Sequence, residues 1–175
     1  AVTVVRVDKN GTKASATYTP TVTPVTPTSE DVTSVDVQGK TQTGTPVFTP
    51  GNPAVPMDDK VPATFEDGST TKTIPGEGTY TVAPDGTVTF TPEKNFTGKG
   101  TGVTVKRVDK NGTPVTAKYT PVVKPTVPTS TDVITTNVQG ATQSGTPTFE
   151  GGKVTVNGEE KTVEIDETVK PTFED

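Results

Sequence analysis

The sequence predicts an all-β fold in which small antiparallel β-sandwich repeats are joined by proline-rich linkers. The first observation is composition: the 175 residues include 40 Thr and 27 Val, no Leu, 17 Pro and 17 Gly. β-branched residues favour strands, Leu is a leading helix former, and Pro and Gly mark turns. The second observation is a long internal repeat, and the third is a series of short alternating segments around turn motifs. Together they favour short strands in tandem units.

The apolar content is small for a chain of this length. Leu, Ile, Val and Phe together make 36 of 175 residues, about 21%. Disorder is expected when this fraction falls below roughly 20%, but the net charge of -5 is modest and does not favour strongly charged disorder. We therefore expect folded units with thin cores, and a disordered tether stays open as an alternative.

The residue types that the chain lacks exclude several classes of function. There is no His and no Cys, which argues against zinc, copper and haem sites and excludes Ser-His-Asp and Cys-His catalysis. We predict no enzyme, no catalytic, cofactor-binding or metal-binding residue, and no cofactor. An acidic pI of about 4.8 without clustered Lys or Arg argues against a nucleic-acid partner. Apolar runs of three residues or fewer argue against a membrane segment.

The internal repeat is the clearest signal in the sequence. Residues 2–48 align without gaps on residues 103–149 at an offset of 101, and 30 of the 47 positions are identical. Residues 64–67 then match residues 172–175 at an offset of 108, so the second copy carries seven extra residues. The insertion lies at 154–165, where we predict an added or longer hairpin.

Proline-dense segments suggest where one unit ends and the next begins. Pro recurs closely within 20–27 and 121–128, and such spacing interrupts strand ladders and favours extended, semi-rigid backbone. We place the linkers there. Residues 1–27 are then the C-terminal hairpin of a preceding repeat, 28–127 one complete β-sandwich repeat, and 128–175 the N-terminal part of the next. A different phase of the repeat is compatible with the same pattern.

Three hairpins are predicted from turn chemistry. Segments 79–82 and 87–90 alternate Thr with apolar residues around a Pro-Asp-Gly turn. Segments 103–108 and 115–119 flank Asp-Lys-Asn-Gly, and the same hairpin recurs at 2–18. The third hairpin pairs 154–156 with 163–165 around Asn-Gly, the strongest short hairpin signal.

These strands predict a two-sheet sandwich with a small core. We expect contacts with neighbouring units to contribute to the stability of each unit. The predicted core residues are Val37, Phe48, Phe65, Tyr80, Val82, Val88, Phe90, Phe96, Val103, Val105, Val115 and Tyr119.

Several motifs then resemble a known family. The Thr-Phe-Thr-Pro that ends at Pro92 and the Phe-Thr-Gly that starts at Phe96 resemble bacterial Ig-like and cadherin-like stalk repeats. With the Gln-Gly at Gln38 before them, and the Asp109 turn and Tyr-Thr-Pro at Tyr119 after them, the chain is similar throughout to the fibril repeat of CshA-type streptococcal cell-wall-anchored adhesins. The resemblance implies an extracellular repeat of roughly a hundred residues in many tandem copies, anchored through segments outside this piece, and no catalytic residues.

Two motifs resemble binding or catalytic sites, but simpler interpretations are favoured for both. The turns that begin at Asp8 and Asp109 could be calcium loops, but calcium takes about six to eight oxygens, so turn chemistry is favoured. The acid pairs Asp58-Asp59, Glu66-Asp67 and Glu174-Asp175 could be paired glycosidase carboxylates. Neighbours in a strand point to opposite faces, however, so solvated positions are favoured.

An intramolecular Lys–Asn isopeptide bond is a sharper hypothesis. It needs a Lys, an Asn or Asp and a catalytic acid together in an apolar pocket, where burial keeps the Lys neutral. No spacing selects one trio. The available residues are Lys60, Lys72, Lys94, Lys99, Asn95 and several acids.

The leading functional hypothesis is a structural stalk that projects an adhesive head away from the cell wall. An alternative is that the repeats are themselves adhesive modules that accept a peptide at an exposed strand edge. The expected partners are neighbouring repeats of the same chain and, through the parent protein, host matrix or microbial surface proteins. We expect a monomer.

Overall fold

A computed structural model describes residues 1–174 of the chain. This part is all-β, and it contains no helix that is long and apolar enough to cross a membrane. The strands are β1 (Val2–Val7), β2 (Lys13–Tyr18), β3 (Thr28–Glu30), β4 (Val32–Val37), β5 (Gln42–Gly44), β6 (Val47–Thr49), β7 (Thr64–Phe65), β8 (Thr71–Ile74), β9 (Gly78–Val82), β10 (Val88–Pro92), β11 (Gly98–Lys99), β12 (Val103–Val108), β13 (Pro114–Lys124), β14 (Thr129–Thr131), β15 (Thr148–Glu150), β16 (Gly152–Val156) and β17 (Glu159–Val163).

Two sheets face each other in the central part of the chain. One has the order β5-β10-β9-β8, and the other has the order β11-β13-β12-β7 with β4 added alongside β13. Tyr80 of the first sheet and Tyr119 of the second meet edge to face, with ring centroids 6.3 Å apart. The prediction of a small β-sandwich is therefore confirmed.

The core between the sheets agrees closely with the predicted one. Nine predicted residues are buried, and Phe48 and Phe96 are partly buried against the same cluster. Val115 is half-buried and lies outside the cluster, because it is the second residue of β13 and lies close to the turn. Three further buried residues were absent from the predicted core: the small residues Ala63 and Ala117, and Val123.

The pairing of β4 with β13 differs from the expected antiparallel arrangement. Val32 to Val37 run parallel to Tyr119 to Lys124, pair by pair. Strand β13 therefore continues through Pro121 into the segment 121–128 that was predicted to be a linker. It does so because the chain finds two partners there: β4 on one side and β11 on the other, with Gly100 N donating to Pro121 O at 2.8 Å.

The predicted hairpins are present, with one change of register. Strands β9 and β10, β12 and β13, and β1 and β2 pair as expected. In the third hairpin the second strand is β17, which begins directly after Asn-Gly rather than at Val163. Asn157 and Gly158 have φ of 50° and 80°, which makes a two-residue type I′ turn and forces Val156 to pair with Glu159.

The parts on either side of the sandwich repeat pieces of it. Every strand residue of the hairpin β1–β2 is exposed, although four residues of the equivalent hairpin in β12–β13 are buried: Val103, Val105, Ala117 and Tyr119. Strands β3 and β6 form a two-stranded sheet, and β14 and β15 form the equivalent sheet 101 residues later. Residues 19–27 form no strand within the described chain.

The two copies offer a matched test of the core. Val4 and Val105 are equivalent, but Val4 is 57% exposed whereas Val105 is fully buried. We expect Val105→Ala to lower the free energy of unfolding by about 2 kcal/mol, because two buried methyl groups are lost and a cavity remains. Val4→Ala should change it by less than about 0.5 kcal/mol. Urea denaturation followed by circular dichroism measures both, and equal effects would contradict the assigned core.

Candidate functional site

The pairing of β4 with β13 fixes where the chain enters and leaves the sandwich. The chain enters β4 at Val32, beside Tyr119, and it leaves β13 at Lys124, beside Val37. The six paired positions span about 17 Å at the usual rise per residue of a strand. The chain therefore enters at one end of the sheet and leaves at the other, an arrangement that allows units to follow one another end to end.

A partly buried polar network holds β4, β5 and β13 together. The hydroxyl groups of Ser34 and Tyr119 lie 2.6 Å apart, and Ser34 Oγ donates to Gln42 Oε1 at 2.6 Å. Gln42 Nε2 in turn donates to the Val122 carbonyl at 2.9 Å. Every member is neutral and has partners, so the network fixes the relative position of three strands rather than offering a reactive group. Burial raises the pKa of Tyr119, with the Ser34 hydroxyl acting in the opposite direction.

Gly44 is what allows β5 to cross over this network. A Cβ at that position would lie 2.6 Å from Cε2 of Tyr119, which is far inside contact distance. Only glycine lets the backbone approach the ring so closely, and this accounts for a glycine within a strand.

A second buried network centres on a carboxylate. Glu77 is 7% exposed, and its Oε1 accepts hydrogen bonds from the Tyr80 hydroxyl and from Thr101 N at 2.8 Å. Its Oε2 accepts one from Thr101 Oγ1 at 2.7 Å. Burial and the hydrogen bond to Glu77 raise the pKa of Tyr80. Sequence reasoning missed this network, since an acid between two glycines ahead of a strand gives no sign of burial.

The network around Glu77 has a structural role, because it connects the two sheets. Glu77 precedes β9 and Thr101 precedes β12, so the carboxylate links one sheet to the other. Its oxygens are taken up by donors of the chain, which leaves no free carboxylate for proton transfer. The prediction of no catalytic residue remains a prediction.

The two Asp-Lys-Asn-Gly turns use their aspartates as backbone acceptors. Asp109 Oδ1 accepts from Asn111 N at 2.9 Å and Thr113 N at 2.8 Å, and Asp8 makes the same pair of bonds. These bonds are the turn chemistry that the sequence favoured. Residues 1–174 contain no group of three or more acidic, His or Cys side chains that could hold a metal ion.

The acid pairs do not face each other across a cleft. Asp59 accepts a hydrogen bond from Arg107 at 2.8 Å, whereas Asp58 lies 3.8 Å from the Lys110 ammonium. Asp67 is exposed and accepts from Ser69, whose hydroxyl lowers the pKa of that carboxyl. Of the third pair, Glu174 is exposed and Asp175 lies outside the described residues.

The residues available for an isopeptide bond are all on the surface. Each of the four lysines and the asparagine is exposed rather than held in an apolar pocket. None of these lysines therefore has the apolar surroundings that favour a neutral, nucleophilic amine. The residues concerned are Lys60, Lys72, Lys94, Lys99 and Asn95.

Two of the outer strands, β7 and β8, give little room for an added peptide strand. The outer strand β7 has two residues, and β8 has four with Lys72 among them. Short edges that carry Lys are typical of edges protected against pairing. A groove of about 470 Å³ beside them is lined by charges of both signs, from Glu66, Asp67, Lys72 and Lys118.

Comparison with known proteins gives a consistent result. The sequence profile described as the surface adhesin CshA repetitive domain matches residues 24–123, which include the whole sandwich except Lys124, the last residue of β13. Among solved structures, the chain is similar to the NMR structure of repeat domain 13 of the fibrillar adhesin CshA from Streptococcus gordonii. The two are 71% identical over 40% of this chain and 90% of that one, with a TM-score of 0.23. No curated protein matches the chain.

The two buried tyrosines predict how stability depends on alkaline pH. Their pKa values are raised in the folded state, so above about pH 10 the unfolded chain binds fewer protons than the folded one. The free energy of unfolding should therefore fall as pH rises through this range, by at most about 1.4 kcal/mol per pH unit for each tyrosine. Below the unfolded-state pKa this contribution is fully present.

Urea denaturation at a series of pH values measures this slope. Tyr119→Phe should make the fall less steep, because the phenylalanine ring cannot ionise. Tyr18→Phe is the matched control at the equivalent exposed position, 65% exposed, and should leave the slope unchanged. A slope in Tyr119→Phe equal to that of the parent chain would show that Tyr119 does not contribute.

Proposed function

The chain belongs to the family of repetitive domains of the surface adhesin CshA, and on that basis we propose that it is a segment of a stalk that holds an adhesive head away from the cell wall. Members of this family are non-enzymatic, and the repeats occur at the cell surface in tandem within a larger adhesin. The spacer role is supported by the way in which the sandwich joins to its neighbours.

The observation that carries this proposal is the parallel pairing of the first long strand with the last. Because β4 and β13 run in the same direction, the chain enters the unit at one end of the sheet and leaves at the other. Units of this kind can follow one another along one axis. An antiparallel closing pair would instead place both chain ends of the unit at the same end of the sheet. Each unit therefore adds its own length to the stalk.

Residues 28–127 form the proposed repeat. The two-stranded sheet β3–β6 begins this unit, and its equivalent β14–β15 begins the part that follows. The hairpin β1–β2 is equivalent to the closing hairpin, and its exposed Val2 and Val4 correspond to Val103 and Val105, which the sandwich buries in β12. Residues 1–27 are then the end of a preceding repeat and 128–175 the start of the next.

The cell-wall anchor and the adhesive head are proposed to lie in other parts of the parent protein. The stalk segment contacts neighbouring repeats, and contacts with host matrix or microbial surface proteins are made through the head. The short edges β7 and β8, with Lys72 among them, favour a spacer over a module that captures peptides at an open edge.

Arrays with increasing numbers of copies of residues 28–127 test the spacer role. If each unit is a folded bead with entry and exit at opposite ends, the end-to-end length should grow in proportion to the number of copies. A flexible tether grows roughly as the square root of chain length. Small-angle X-ray scattering and electron microscopy of the arrays distinguish the two.

Square-root growth would contradict the proposed stalk. The adhesive alternative is tested with the same arrays, immobilised and exposed to host matrix proteins. Saturable binding that strengthens with copy number in the absence of a head would overturn the assignment of adhesion to the head alone.

A further inference from the structure

We propose that the hairpin β16–β17 is a strut between repeats: it belongs to one repeat, packs on the end of the preceding one, and stiffens the joint between them. Its presence or absence in a given copy then sets whether each joint of the array is stiff or flexible. This inference rests on the proposed stalk and on its division into repeats, and it assigns a role to the insertion that distinguishes the second copy from the first.

The hairpin contacts the preceding unit directly. Both β16 and β17 lie against β4, the strand that closes the sandwich. Lys124, the last residue of β13, donates from its ammonium to the carbonyl of Thr155 at 2.9 Å. The hairpin therefore meets the two strands at the exit end of the unit, where the next repeat must attach.

Burial shows that this contact excludes water. Val156 is 3% exposed, although a two-stranded hairpin cannot bury a side chain by itself. The hairpin β1–β2 provides the comparison within the same chain, because all twelve of its strand residues are exposed. Since β16 contacts β4, we attribute the burial of Val156 to packing on the preceding unit.

The chain after the hairpin continues the contact. A groove of about 500 Å³ lies between the two repeats, with Gln38, Gly39 and Lys94 on the side of the sandwich and Val163 to Asp166 on the other. The Thr168 hydroxyl and, to a lesser extent, the positive charge of Lys94 lower the pKa of Asp166. Opposite charges thus face each other across the joint.

The first copy lacks both partners of the Lys124–Thr155 contact. In place of the hairpin it has a short loop closed by a bridge between Asn52 and Val55. At the position equivalent to Lys124 stands Thr23, which has no ammonium group to donate. A joint that leads into a copy of this kind has no strut and should bend more freely.

Nuclear magnetic resonance of the full 175-residue chain tests the strut. Backbone relaxation of β16–β17 should give the same rotational correlation time as that of the sandwich, and nuclear Overhauser effects should connect Val156 methyl groups with β4. In an exchange variant, a copy of residues 52–63 replaces residues 153–171. Residues 129–150 should then tumble independently and faster than the sandwich.

Two point variants separate the contact from the hairpin itself. Lys124→Thr introduces the residue that the first copy has at the equivalent position, Thr23. It should weaken or remove the nuclear Overhauser effects between Val156 and β4, with the Asn157-Gly158 turn intact. Lys153→Thr alters an exposed lysine of the same hairpin and should leave them unchanged. A parent hairpin that tumbles independently, or equal losses in both variants, would overturn the strut.

Failure of the strut is distinguishable from failure of the stalk. Connections between β4 and β13 report on the sandwich alone and should persist in every variant. If they are present while the hairpin moves freely, only the strut is wrong. If they are absent from the parent chain, the folded bead on which the proposed function depends is wrong, and so is the strut built on its end.

Discussion

The parallel pairing of β4 with the second half of β13 joins the beginning of the unit to its end. Without it, Tyr119 and Gln42 would lose Ser34, the partner that connects both to β4. Val37, at the end of β4, and Val123, in β13, are both buried at this closure. The chain itself shows what happens when the partner is missing: residues 19–23 are equivalent to 120–124, and they form no strand. The closure is therefore tertiary rather than a local preference of the sequence.

Polar ties compensate for a core that is thin by composition. The aromatic cluster of Tyr80, Phe90 and Tyr119 fills the centre, with Tyr80 and Phe90 centroids 4.5 Å apart. Glu77 adds a link between the sheets near one end of this cluster, because both of its side-chain oxygens accept hydrogen bonds. A buried carboxylate is costly unless hydrogen-bonded, so the tie favours one arrangement of the two sheets over others. A chain without Leu or disulfides thus obtains a defined fold from few apolar residues.

The parts that sequence reasoning predicted are those governed by local chemistry. Asn-Gly and Pro-Asp-Gly turns located the hairpins, and period-two alternation located Tyr80, Val82, Val88 and Phe90 in the core. Strand β4 was not predicted, because its partner lies far along the chain and contains Pro121, which read as a strand breaker. Glu77 was not predicted as a buried group because its burial depends on where Thr101 falls in the other sheet. Tertiary contacts decide such features, and a local pattern carries no information about them.

The closing pair also determines how the unit responds to tension applied to its two chain ends. A pull on both chain ends slides β4 and β13 past each other, so their hydrogen bonds are loaded together rather than one after another. Since the chain has no Cys, single cysteines can serve as unique handles for force measurements. Handles at Val22→Cys and Val127→Cys, both exposed positions, load the pair in shear. Handles at Lys40→Cys and Val127→Cys attach at the same end of the pair and pull it apart from that end.

The most direct measurement is the single-molecule unfolding force in these two geometries at one loading rate. The parallel closure predicts a clearly higher unfolding force for the Val22 and Val127 handles than for the Lys40 and Val127 handles. Equal forces, or a lower force in the first geometry, would contradict the claim that β4 and β13 close the unit and carry tension applied to its two chain ends.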